Sequence, residues 1–129
     1  MAVILDTCGL LSLSGVASRM LTESTLARLR IEDEVYVSAI SLFEIAIKHK
    51  KGAMPLGVYS PNTLWEAALL QYALTVLPVT DKIFLAAVEL PDHHRDPSDR
   101  IIIAQSIAHK IDVVTYDEMF AQYGISTIS

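Results

Sequence analysis

Four carboxylates are set apart by their neighbours. Asp6 ends the apolar run AVIL, Asp117 follows VVTY, Glu44 sits in SLFEIAIK and Asp99 in DPSDR. The first two stand just beyond segments that read as strands, and the last two in segments that read as the first turns of helices. In sheets of parallel strands, the helices that follow start at the rim where the strands end, so all four side chains are expected on one rim. Two carboxylates about 5 Å apart repel by about 3 kcal/mol at an effective dielectric of about 20, so four in one pocket would be costly without a divalent cation. An all-oxygen set suits Mg²⁺ or Mn²⁺, ions that keep several waters and grip a phosphate oxygen. The chemistry such a site supports is hydrolysis of a phosphodiester: the ion lowers the pKa of a water and neutralises charge that develops in the displacement. On this reading all four carboxylates are candidates to hold the metal. Arg95, Arg100 and Lys48, close to these acids in sequence, suit a polyanionic substrate.

The elements that must position these groups follow from the hydropathy pattern. AVIL is a short strand buried on both sides, and GLLSLSG is a brief helix ending at Gly15. An amphipathic helix spans roughly Ser18 to Arg30, and EVYVS is a second strand. SLFEIAIKHKKG is a helix stopped at Gly52, with lysines in the last turn where cations suit the helix dipole. MPLGVYSP reads as loop. A helix from Asn62 to about Ala73, the strand TVLPV and a helix capped by Thr80 that runs to Leu90 come next. After HHRDPSDR follow the apolar helix IIIAQSIAH, the strand DVVT, a short helix through EMFAQY and the terminal strand ISTIS. Strands that are apolar throughout and alternate with helices predict an α/β protein. The expected architecture is one domain over residues 1–129, a three-layer α/β/α sandwich around a mostly parallel central sheet.

Each acid also has a local reading. Ser41 with Glu44 fits the S-x-x-E capping box. Pro97 suits the first position of a helix, which makes Asp96 the N-cap and lets the Asp99 carboxylate reach back to the cap's own N–H. Asp6 and Asp117 would each cap the helix that follows. Capping and ligation are compatible, because a carboxylate held at a helix N-terminus stays ionised and oriented. Thr7, Thr115 and Ser98 are candidate hydroxyl partners for the acids or the substrate, and Asp96 and Arg100 are candidates for further contacts there. His93 and His94, beside Asp96, read as solvated loop residues rather than zinc ligands, since no Cys pair or second His pair accompanies them. Trp65, Leu69 and Tyr72 at helical spacing read as packing or as a partner surface.

Composition narrows the partners. A net charge of −5 and a pI near 5.2 argue against a chain that binds nucleic acid mainly through a positive face. Local contacts by Arg95, Arg100 or the Lys48, Lys50, Lys51 cluster remain. The single cysteine, Cys8, cannot form an intramolecular disulfide, reads as a small buried residue, and fits a reducing cytoplasm. MAVILDTCG carries no basic region, and its apolar run is far too short to span a membrane, so a mean hydropathy of +0.40 reports a large core. No G-x-S-x-G, P-loop or G-x-G-x-x-G is present.

Taken together, these residues resemble those of PIN-domain ribonucleases, specifically the VapC-type toxins of bacterial and archaeal toxin–antitoxin pairs. The resemblance runs through VILDTCGLL, SAISLFEIAIKHKKGAMPL, LPVTDKIFLAAVELPDHHRDPSDRIIIAQSIAH and VVTYDEMFAQYGI, with HRDPSDRIIIAQ the most specific stretch. It implies a metal site formed by Asp6, Glu44, Asp99 and Asp117, with Mg²⁺ or Mn²⁺ as cofactor and RNA as substrate. It further implies homodimerisation and a cognate antitoxin whose tail lies along the groove and places a basic side chain among the acids. Departures are small: Ser98 stands where an aromatic residue is frequent, and Cys8 occupies a variable position.

Two other classes fit less well. A phosphoacceptor receiver domain needs paired acids after its first strand and a lysine late in the chain, and DVVTYD lacks that lysine. A haloacid-dehalogenase-type phosphatase needs an acid where this chain has Cys8. A PIN fold kept only as a non-catalytic interaction module would have no need of all four acids.

Overall fold

The computed structural model describes residues 1–129. Strand β1 (Ala2–Leu5) lies at the centre of a five-stranded sheet, flanked by β2 (Glu34–Ser38) and β3 (Leu74–Leu77) on one side and by β4 (Asp112–Val114) and β5 (Thr127–Ile128) on the other. Every pairing is parallel, so the sheet expected to be mostly parallel is parallel throughout. Alternate residues of β1 enter separate cores. Val3 and Leu5 pack with Val35, Val37, Leu10, Ile45 and Trp65 on one face, and Ile4 packs with Ile102, Ile103, Val113 and Phe120 on the other. A strand covered on both faces has no solvent side, which is why AVIL carries no polar residue. Leu69 and Tyr72 pack against the first core with Trp65, as side chains at helical spacing should.

The helices are α1 (Thr7–Leu13), α2 (Glu23–Ile31), α3 (Ala39–Lys50), α4 (Pro61–Gln71), α5 (Asp81–Glu89) and α6 (Pro97–His109), followed by a 3₁₀ helix over Glu118–Tyr123. Several boundaries differ from those expected. Helix α2 starts at Glu23 rather than Ser18, with Thr22 as its cap. The preceding residues are held by tertiary contacts instead: Arg19 lies over the Tyr116 ring, Met20 O accepts from the Tyr116 hydroxyl at 2.8 Å, and Leu21 is buried. Helix α3 springs directly from β2, because Ser38, the last residue of the strand, accepts the Ile40 N–H. Ser41 and Glu44 therefore lie inside the helix, no capping box forms between them, and Glu44 stands in the second turn. Helix α4 begins at Pro61, with a capping box made by Ser60 and Thr63, and ends ahead of Ala73, whose φ of +51° no helix accommodates. Strand β3 is LTVL rather than TVLPV, since Pro78 has no N–H for a ladder. The last helix is 3₁₀ rather than α, and the terminal strand contains only Thr127 and Ile128.

The strand order β3-β2-β1-β4-β5 reverses between β1 and β4. A crevice opens beyond the carboxyl ends of the strands at such a reversal. Asp6 and Asp117 follow those two strands.

Candidate active site

Asp6 continues the β1–β4 ladder by one step, its backbone N–H donating to Val114 O at 3.1 Å. Its side chain is held at both oxygens. Oδ1 accepts the Gly9 N–H at 2.6 Å, which makes Asp6 the N-cap of α1, and Oδ2 accepts the Thr115 hydroxyl at 2.6 Å. Gly9 relieves a tight approach: a Cβ there would lie 3.0 Å from both Asp6 Oδ1 and Val114 O. Thr115 also accepts the Asp117 N–H at 3.0 Å, and Asp117 caps the 3₁₀ helix through the Met119 N–H at 2.9 Å. One buried threonine thus couples the two strand-end acids.

The other two acids arrive on helices. Glu44 Oε1 accepts the Thr7 hydroxyl at 2.7 Å, and Oε2 accepts Lys48 Nζ at 2.6 Å. A hydroxyl has one proton, and that of Thr7 is used on Glu44, so Ser41 is the donor in its 2.9 Å contact with Thr7. Asp99 is the third residue of α6, and its N–H donates to Asp96 Oδ1 at 3.1 Å, which places Asp96 as the N-cap. The expected reach of the Asp99 carboxylate back to the cap does not occur. The Asp96 N–H donates instead to His94 Nδ1 at 3.1 Å.

His94 is the residue that sequence reasoning misplaced. Expected in solvent, its side chain is only 12% exposed, with Nε2 at 2.7 Å from Asp117 Oδ2 and 3.1 Å from Asp99 Oδ2. The loop folds down onto the 3₁₀ helix, where the His93 and His94 rings meet Tyr123 and Phe120 edge-on. The only signal in the sequence was its place two residues before Asp96. Gly9 was missed as well, three positions after Asp6.

Other candidates lie elsewhere. The Arg100 guanidinium turns away from the acids and donates to the carbonyls of Ala87, Val88, Leu90, Pro91 and His94. It binds the orphan carbonyls at the end of α5, a demand that nearness in sequence to Asp99 could not reveal. Arg95 is exposed on another cleft, and Ser98 is half-buried at the second position of α6. Cys8 is exposed rather than buried, yet desolvation of its sulfur and the charges of Asp6, Asp99 and Glu44 push the thiol up to about 11. It is therefore no thiolate nucleophile at neutral pH.

Asp6, Cys8, Arg19, Asp99, Tyr116 and Asp117 line one cleft of about 360 Å³. A larger one of about 740 Å³, lined by Phe84, Val88, Arg95 and Pro97 among others, contains none of the four acids. No lysine or arginine pairs with Asp6, Asp99 or Asp117, and Lys48 neutralises only Glu44. Burial pushes the Asp6 carboxyl up to about 6 against the hydrogen bonds from Thr115 and Gly9, with the charges of Asp117 and Glu44 adding to the rise. Asp99 is pushed up to about 7, again first by burial and then by Asp96, Asp6 and Glu44. Oriented oxygen donors short of compensating cations fit a hard divalent ion. Ligand atoms of His94, Asp99 and Asp117 lie within 4.8 Å of one another.

The class so defined is an all-parallel α/β protein with a carboxylate centre at its topological switch point. The sequence model of the PIN domain matches residues 3–125, and the chain belongs to the PIN-domain family. Among solved structures, it is similar to FitAcB from Neisseria gonorrhoeae, with 21% identity, a TM-score of 0.68, and coverage of 98% of this chain and 96% of that one. It is also similar to VapBC2 from Rickettsia felis bound to a DNA fragment from their promoter, at 17% identity and a TM-score of 0.70 over 99% and 98% of the two chains. A toxin–antitoxin complex from Klebsiella pneumoniae is similar at 16% identity and a TM-score of 0.66, over 98% and 96%. No curated protein matches the chain by sequence. No helix is long and apolar enough to cross a membrane.

Proposed function

We propose that this chain is a metal-dependent endoribonuclease, the toxin of a toxin–antitoxin pair, that hydrolyses RNA phosphodiester bonds at Asp6, Glu44, Asp99 and Asp117. The observation that carries the reading is the group of aspartates at the β1–β4 switch point: three carboxylates share one cleft and have no lysine or arginine partner. Membership of the PIN-domain family and likeness to solved toxin–antitoxin complexes support the same reading.

The chain's own groups divide the work. Asp6 and Asp99 would hold Mg²⁺ or Mn²⁺, with Glu44 and Asp117 joining directly or through water, and the chemistry supplied there would be a lowered pKa for a water and neutralised charge at phosphorus. The Thr115 and Gly9 hydrogen bonds fix the Asp6 oxygens, and Thr7 fixes Glu44, so the carboxylates need no reorganisation when substrate arrives. Arg19, stacked at 3.6 Å on Tyr116 at the edge of the cleft, offers positive charge to a phosphate of the strand. A net-negative chain with an acidic cleft suits a basic antitoxin tail, and we extend the proposal to such a partner, to a homodimer and to action in the cytoplasm.

The test is to incubate the purified chain, freed of any partner, with tRNA, rRNA and mRNA in Mg²⁺, Mn²⁺ or EDTA. Internal cleavage with metal and none with EDTA is expected. A folded chain that binds metal and cleaves no RNA would replace this reading with a non-catalytic interaction module. In cells, the wild-type chain should arrest growth, Glu44→Gln should be tolerated, and the small protein encoded beside it should rescue growth.

A further inference from the structure

His94 is fixed from every side. Its backbone N–H donates to the Tyr123 hydroxyl at 2.8 Å, and its carbonyl accepts from Arg100 Nη1 at 2.9 Å. The ring meets the fully buried Phe120 at 87°, with centroids 5.8 Å apart. Such restraint fits a side chain whose two nitrogens must face particular partners.

Those partners differ in kind. Nδ1 faces the Asp96 backbone N–H at 3.1 Å, and a backbone amide can only donate. Nδ1 therefore accepts and carries no proton. A neutral imidazole with a bare Nδ1 holds its proton on Nε2, which hydrogen-bonds Asp117 Oδ2 at 2.7 Å and lies 3.1 Å from Asp99 Oδ2. Both of those are acceptors, so every contact of the ring agrees with one tautomer.

We propose that His94 is a positioning residue of the acid site, whose Nε2–H, oriented by the Asp96 amide, is given to Asp117 and holds that carboxylate beside Asp99, and that the ring is not itself a metal ligand. The inference rests on the metal-dependent reading above. The two acids stand at the N-termini of different elements, α6 and the 3₁₀ helix, and no other side chain bridges them. An oxygen that accepts one hydrogen bond keeps a second lone pair for a cation, and Asp99 Oδ1 has no protein donor at all. Ligation through Nε2 would reverse the pattern. The ring proton would move to Nδ1 and point at the Asp96 N–H, two donors head to head, whereas a metal-bound histidine almost always donates its other N–H to an acceptor. The nearness of His94 to both acids thus marks a clamp rather than a third ligand.

The test uses the whole chain. Nitrogen-15 NMR of the metal-free protein should show the His94 ring as the Nε2–H tautomer, and an Nδ1–H ring would overturn the assignment. Pulsed EPR of the Mn²⁺-loaded protein should show no directly coordinated imidazole nitrogen, and a strong nitrogen coupling lost in His94→Ala would overturn it while leaving the metal reading intact. His94→Ala should weaken Mn²⁺ binding by about 10- to 100-fold, and His94→Gln, which keeps a terminal N–H donor, should recover most of that loss. Equal weakening in both variants would sink the clamp. Absence of Mn²⁺ binding by the wild type would instead sink the metal reading, and the clamp with it.

Discussion

The two ends of the sheet treat acids in opposite ways. At the amino end, Asp112, the first residue of β4, and Glu32 share a single arginine: Arg28 Nη2 lies 3.1 Å from Asp112 Oδ2, and Nε lies 2.5 Å from Glu32 Oε1. At the carboxyl end, Asp6, Asp99 and Asp117 converge with no lysine or arginine among their partners. In the first cluster each acid has an arginine as partner. The other is left short of positive charge by a fold that nonetheless orients its carboxylates with N–H and O–H donors. Acids left without a lysine or arginine but well oriented are what the proposed metal site requires.

Removing acids should break that contrast most sharply. Asp6→Asn and Asp99→Asn should each abolish RNA cleavage while the metal-free melting temperature holds or rises, because each removes a repelling charge without opening a cavity. Wild-type cleavage by either variant would move the chemistry elsewhere. Gly9→Ala should come next. Its Cβ would press on Asp6 Oδ1 and Val114 O, and shifting that carboxylate by a few tenths of an ångström should lower the cleavage rate, by less than the loss in Asp6→Asn. Single-turnover kinetics would measure it, and an unchanged rate would show that Asp6 tolerates being moved.

The acid cluster also predicts how stability follows pH. The folded-state values of Asp6, about 6, and Asp99, about 7, lie above the ordinary 3.8, so both bind protons more tightly when folded. Their contribution is fully present below 3.8 and is lost as pH rises through about 6 and about 7. The metal-free chain should therefore lose stability over that interval, on the order of 2–3 kcal/mol for Asp6 alone. Denaturant titration across pH should show this loss, and Asp6→Asn should flatten it. At the opposite end, Arg28→Ala should leave cleavage per folded molecule unchanged and lower the melting temperature, because the Glu32 side chain, only 4% exposed, loses its arginine. A cleavage defect in that variant would mean that the two ends are coupled.

What the sequence revealed follows the same division. Asp6 and Asp117 were legible because apolar runs without alternation mark strands buried on both faces, and parallel strands end at one rim. Asp96 was legible because an aspartate before a proline is a local capping signal. Other features depended on contacts far along the chain. Glu44 was placed a turn too early because the cap of α3 is the last residue of β2, a junction that hydropathy does not mark. The start of α2 was set too early because Arg19 and Met20 are held by Tyr116, nearly a hundred residues on. Arg100 looked like a substrate contact until the carbonyls of α5 claimed it. His94 looked solvated until Asp117 and Phe120 came to meet it.

The most direct measurement is a calorimetric titration of the metal-free chain with Mn²⁺. The account predicts saturable binding by the wild type, its loss in Asp6→Asn, and wild-type binding in Arg28→Ala. Equal binding by the wild type and Asp6→Asn, or none by the wild type, would contradict it.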